Sequence, residues 1–109
     1  MRFSEYESRT QETVKYVGDF ERILSYLGLG LVGEGGEVAE KIKKFLRDEM
    51  EMSESYRDGI LRELGDVLWY LTRMSVELGS SLEEVAEKNL EKLSSRRERG
   101  VISGSGDDR

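Results

Sequence analysis

Four carboxylates stand in two pairs of matching spacing, Glu34-x-x-Glu37 and Glu63-x-x-Asp66, in a chain with no histidine and no cysteine. Residues three apart lie about 60° apart around a helix, so each pair projects from one face. Two such helices packed together would converge four oxygen-rich side chains on one point. Hard oxygen donors of this kind suit Mg²⁺ or Mn²⁺. Converging like charges repel, so the arrangement makes physical sense when divalent ions neutralise it. The missing residue types exclude thiolate zinc sites, cysteine nucleophiles, imidazole acid–base chemistry and the Glu-x-x-His element of ferritin-like di-iron proteins.

The plainer alternative makes both pairs solvated helix faces. Lys41 and Lys44 continue the first pair at helical steps, as Tyr70 and Arg73 continue the second, and such pairs stabilise a helix by only about 0.2–0.5 kcal/mol each. Two features favour a site. Both pairs border apolar positions, Leu31 and Val38 for the first, Leu64 and Val67 for the second. Glycines also cluster beside the acids, at Gly33, Gly35, Gly36 and Gly65. Each costs about 1 kcal/mol relative to alanine inside a helix, which predicts a close backbone approach there. Lys41 shares the face of the first pair and becomes a candidate substrate contact.

Asn89, Lys92 and Arg96 follow at steps of three and four near the C-terminal end, on one face, where they can grip phosphate oxygens. Cations near a helix C-terminus also suit the macrodipole, which accounts for Arg96, Arg97 and Arg99 without a ligand. Asn89 between Ala86 and Leu93 is harder to explain that way, because a buried amide needs partners. Trp69 and Tyr70 offer rings for stacking on a base, or simply for packing. Gly28 to Gly33 spells GxGxxG with Asp48 downstream, yet no strand-like run precedes it, so the dinucleotide fingerprint is rejected.

The elements that must carry these residues all read as helical. Ser4 with Glu7 predicts a capping box and a first helix running to about Val17, before Gly18. A second apolar-periodic segment covers 23–48, with regular helix from about Leu27 and Leu27, Leu31, Val38, Ile42 and Phe45 on its stripe. Residues 49–55 connect it to a third helix. There Ile60, Leu64, Val67, Leu71, Met74 and Leu78 recur at steps of four and three, until Gly79 stops the helix. Ser81 with Glu84 caps a fourth helix, which continues to about Arg99, and a glycine- and serine-rich tail over 100–109 is expected to be flexible. The fold class predicted is all-α, an antiparallel four-helix bundle in a single domain over 1–109.

At 109 residues, 37% hydrophobic and 37% charged, that bundle is thinly supplied with core, which favours burial of a helix face against a second subunit. A net charge of −6 disfavours binding to nucleic-acid duplexes. No apolar run is long enough to span a membrane or to begin a signal peptide, so a cytoplasmic protein is expected.

Taken together, GLGLVGEGGEVAEKIKKF followed by RELGDVLWYL resembles the MazG-like all-α nucleoside triphosphate pyrophosphohydrolases. That family's pattern is Glu-x-x-Glu, a variable gap, then Glu-x-x-Asp, and the gap here is the 25 residues from Val38 to Arg62. KNLEKLSSR is similar to the family's Asn-x-x-Lys-x-x-x-Arg segment, and the ending RERGVISGSGDDR is similar to that of some small single-domain members. The first helix carries no part of the resemblance. A departure is Gly35, where members often have alanine or another small helix former, and this loosens the first acidic pair.

The resemblance implies Mg²⁺-dependent hydrolysis of a (deoxy)nucleoside triphosphate between its α and β phosphates, giving monophosphate and pyrophosphate. Glu34, Glu37, Glu63 and Asp66 would hold the metal, with Glu34 or Glu37 also positioning or deprotonating the attacking water. Asn89, Lys92 and Arg96 would bind phosphates. A homodimer or homotetramer would complete each nucleotide pocket. The alternatives are a pyrophosphohydrolase acting on another diphosphate and a non-catalytic helical interaction module.

Overall fold

The computed structural model describes residues 1–108 and contains four α-helices with no strand among them: α1 (Phe3–Thr10), α2 (Phe20–Arg47), α3 (Glu54–Glu77) and α4 (Leu82–Glu98). The chain is all-α, as the apolar periodicity predicts. A 3₁₀ turn at Gln11–Thr13 closes α1, and Val14 is already extended, so the first helix ends well before Val17. The Ser4 capping box does not form. Arg2 precedes α1 without a side-chain cap, and the Glu7 carboxylate instead accepts a 2.6 Å hydrogen bond from the Leu82 amide. An acid on α1 thus satisfies one of the open donors at the start of α4, where negative charge suits the helix dipole.

Helix α2 begins at Phe20 rather than near Leu27, because Asp19 caps it by accepting from the Arg22 amide at 2.8 Å. This cap lets the glycine-rich stretch continue one regular helix. Gly28 to Gly33 consequently lies within α2 and opens no nucleotide-binding turn. Ser53 and Ser81 cap α3 and α4 through 3.1 Å bonds from the Tyr56 and Glu84 amides. At the far end of α3, Gly79 takes φ 74° while its amide and that of Ser80 donate back to Val76 and Ser75, closing the helix in a Schellman turn.

Helices α2 and α3 form an antiparallel hairpin with the most extensive interface in the molecule, while α1 and α4 lie against α3 and against each other. Leu27 is fully buried in the hairpin, and Phe45 stacks on Tyr56 at its loop end, ring centres 4.5 Å apart. Thr72 is fully buried because its hydroxyl donates to the Leu68 carbonyl one turn back. Among the apolar side chains of the described residues only Tyr16, Leu27 and Leu82 are buried. Leu64 and Leu78 of the α3 stripe, and Ile42 of the α2 stripe, are exposed.

The four helices therefore do not close into a bundle within one chain. The radius of gyration is 16.8 Å, where a compact chain of this length would have about 13 Å. A compact 12.5 kDa monomer would expose roughly 6,200 Å², and this chain exposes 8336 Å². Among the described residues no helix is long and apolar enough to cross a membrane.

Candidate metal centre

The antiparallel hairpin brings one acid of α2 and both acids of the α3 pair together. A carboxylate oxygen from each of Glu34, Glu63 and Asp66 lies within 4.8 Å of the other two. Glu37 stands outside that group and is exposed, although its charge still reaches Glu34. The reason is rotational: Glu34 lies on the flank of α2 that faces α3, and three residues further on the helix has turned Glu37 toward the rim. Burial raises the Glu34 pKa above the usual carboxylate value, and the charges of Asp66, Glu63 and Glu37 raise it further.

Three carboxylates crowded at this distance are a hard donor set, and burial first, then the neighbouring negative charges, make ionisation of Glu34 unfavourable. Such residues fit an oxygen-seeking divalent ion. The compensation present is Lys41, whose Nζ lies 3.8 Å from Glu63. Lys41 thus contacts the acid cluster itself, and its carbonyl accepts from the Tyr56 hydroxyl at 3.3 Å.

Beside the acids opens a cleft of about 330 Å³ lined by Thr13, Lys15, Tyr26, Glu34, Asp66, Trp69 and Tyr70. That volume is at the small end of ligand pockets. Trp69 is held in its wall by a 2.8 Å bond from the indole nitrogen to the Thr13 hydroxyl, and meets Tyr70 edge-on at 4.9 Å. Burial raises the Tyr70 pKa first, with neighbouring Tyr26 and the Glu34 and Asp66 charges adding to it. The phenol of Tyr6 on α1 is raised by burial and by Asp66. Both hydroxyls stay protonated and able to donate beside the acids.

Sequence reasoning missed Lys15, Tyr16 and Tyr26, which lie on the extended segment after α1 and on the first turns of α2, where no motif marks them. Arg73, a surface base under the solvated-face alternative, is not on the surface. Arg73 is buried, and its guanidinium donates to the Tyr16 hydroxyl at 3.1 Å, the Gln11 side chain at 2.8 Å, Thr10 at 3.3 Å and Glu77 at 3.3 Å. Tyr16 in turn donates to Glu77 at 2.6 Å. This network ties the segment bearing Thr13 and Lys15 to α3, and so builds one wall of the cleft.

The glycines beside the acids do not serve the close approach expected of them within this chain. A Cβ at Gly33, Gly35, Gly36 or Gly65 would meet nothing within 4 Å. Gly30 is the glycine that a neighbour requires, because a Cβ there would overlap the Tyr70 ring.

Asn89, Lys92 and Arg96 are not assembled with the acid cluster within the chain. Asn89 is exposed, not buried, and lines a separate apolar cleft between α1, α3 and α4. Lys92 and Arg96 both engage Asp107 of the tail, at 3.0 and 3.1 Å.

The chain is thus all-helical, and its central hairpin presents a three-carboxylate cluster of hard oxygen donors beside an aromatic cleft. A family model described as the MazG nucleotide pyrophosphohydrolase domain matches residues 23–101, and the chain belongs to that family. The matched span covers α2 from Ile23 onward, α3 and α4, and omits α1. The chain is 46% identical over 109 residues to the Gene 37 protein of Mycobacterium phage L5, covering 95% of this chain and 96% of that protein. No solved structure matches it.

Proposed function

We propose that the chain hydrolyses a (deoxy)nucleoside triphosphate at the α–β phosphoanhydride, releasing nucleoside monophosphate and pyrophosphate. The observation that carries this reading is the convergence of Glu34, Glu63 and Asp66 beside a cleft walled by Trp69, Tyr70 and Tyr26. Those three acids would hold Mg²⁺, or Mn²⁺ in its place. The bound ion would supply Lewis acidity and neutralise charge on the phosphate oxygens. Glu37, at the rim with its carboxylate free of the cluster, orients the attacking water and accepts its proton, with Glu34 as the alternative base. The water oxygen forms the new bond to phosphorus as the bridging oxygen departs with the other phosphoryl group. Lys15 and Lys41 offset charge on the phosphate chain, and Trp69 and Tyr70 pack against the base.

The protein works, in this reading, as a homodimer or homotetramer in the cytoplasm. The surface in excess of a compact monomer is roughly 2,000 Å², the scale that obligate subunit interfaces cover. A candidate face runs along α2, where Leu29, Val32 and Leu46 are exposed on one side of the helix with the small residues Gly36 and Ala39 between them. Their steps of three, four, three and seven keep one seam in register for a second helix. A second copy is also the route by which Asn89, Lys92 and Arg96 of one chain reach an acid cluster, since a single chain leaves them apart.

The test is a panel of nucleoside triphosphates with Mg²⁺, resolving pyrophosphate from orthophosphate among the products. Pyrophosphate release that disappears in Asp66→Asn supports the reading. Orthophosphate as the sole product, or no turnover of any triphosphate, rejects it.

A further inference from the structure

We infer that Asp107 is an internal counter-ion which occupies the Lys92–Arg96 anion site and must leave before a phosphate can bind there. The inference rests on the reading of Lys92 and Arg96 as phosphate ligands and adds a regulation of that site. After α4 the chain reverses at Gly100 (φ 71°), and Gly104 and Gly106 also take positive φ, 147° and 82°. These are conformations that glycine adopts without steric cost. The Val101 amide donates to the Arg96 carbonyl at 2.8 Å, which fixes the start of the reversal, and the tail then folds back along α4. There the Arg96 Nη2 donates to the Gly106 carbonyl and to Asp107 Oδ1, both at 3.1 Å, and Lys92 Nζ reaches the same oxygen at 3.0 Å.

The fit of this carboxylate to the site is incomplete. Arg96 is 5% exposed, yet its Nε–H has no hydrogen-bond partner among the described residues. Both cations converge on a single oxygen of Asp107. A buried guanidinium donor without an acceptor is costly, and a phosphate group, with more oxygens around one centre, can serve donors that one carboxylate oxygen leaves unmet. The Asp107 side chain is itself 81% exposed, so the carboxylate is the solvated partner of the pair and regains full hydration when it lets go, and its contact with the half-exposed Lys92 is a surface ion pair. A buried, under-satisfied cation held by a solvated acid on a glycine hinge is a site that a better anion takes over.

Binding of inorganic pyrophosphate to the full-length protein, in the presence of a chelator so that the acid cluster holds no metal, tests this directly. Asp107→Asn removes the competing charge, and Asp108→Asn removes the same charge one residue further along as a control. Asp107→Asn is expected to bind pyrophosphate at least about threefold more tightly, the scale of the exposed Lys92–Asp107 pair alone, with Asp108→Asn matching the wild type. In wild-type protein, pyrophosphate should shift the backbone amide resonances of Gly104 and Gly106 toward those of an unstructured chain. Equal affinity of wild type and Asp107→Asn, weaker binding by that variant, or no binding by either would overturn the inference. Failure of the hydrolase reading gives a different pattern, in which no triphosphate is turned over while the affinity difference persists.

Discussion

The Tyr70 ring occupies the space that a side chain on Gly30 would fill, so the α2–α3 crossing at the cleft depends on the absence of one methyl group. Gly30→Ala should cost about 1–3 kcal/mol in overpacking, against about 1 kcal/mol regained in helix propensity, for a net loss of stability. Gly65→Ala, where a Cβ meets open space, should instead stabilise by up to about 1 kcal/mol. Denaturant unfolding of both variants measures the contrast. Equal effects would mean that Tyr70 does not pack there.

Neutralising one acid of the cluster should separate metal binding from folding. Asp66→Asn is expected to abolish Mg²⁺ binding in calorimetry while leaving the helical circular dichroism unchanged, and to reduce pyrophosphate release by two orders of magnitude or more, on the order expected for loss of an electrostatic catalytic element. Glu37→Gln should retain most of the Mg²⁺ affinity, since Glu37 lies outside the three-acid group. Equal loss of metal by both variants would place Glu37 inside the coordination set.

The raised pKa of Glu34 fixes a sign for the pH dependence. Its folded form binds a proton more readily than its unfolded form, so without metal its contribution to stability falls as pH rises through that window, and the penalty is complete above the folded pKa. A divalent ion removes the penalty by neutralising the cluster. The rise in melting temperature produced by Mg²⁺ should therefore be large near pH 7.5 and shrink toward about pH 4.5, where carboxyl groups take up protons. A shift independent of pH would mean that the ion acts elsewhere.

Arg73 should be the most sensitive residue outside the acid cluster. Arg73→Ala leaves Tyr16 and the partly exposed Glu77 without their buried cationic partner, a change that costs on the order of 1–3 kcal/mol. Because the network also anchors the segment carrying Thr13, the indole of Trp69 should lose its partner and its fluorescence should shift toward that of a solvated ring. An unchanged emission spectrum would show that the cleft wall stands without Arg73.

The exposed seam on α2 makes its own prediction. Val32→Glu should convert an oligomer into monomers on size-exclusion chromatography with light scattering, since a charge in a helix seam opposes close packing. A wild-type protein that is monomeric at the outset would remove the role given to this seam.

The sequence by itself determined the helical class, because apolar steps of three and four on α3 and the Ser81 and Gly79 boundary signals are local properties of the chain. It also determined the pairing of acids at positions three apart, and with them the oxygen-only character of any metal site. What it could not fix is rotation and contact. Glu34 and Glu37 are equivalent by spacing, and only the docking of α2 on α3 turns one into the cluster and leaves the other at the rim. The Ser4 cap lost to a Glu7 bond that crosses 75 residues of chain. Likewise Arg73 reads as a surface base until α1 and the segment after it fold over α3 and surround it. Long-range contacts of this kind depend on which faces meet in three dimensions, and periodicity records only which faces exist.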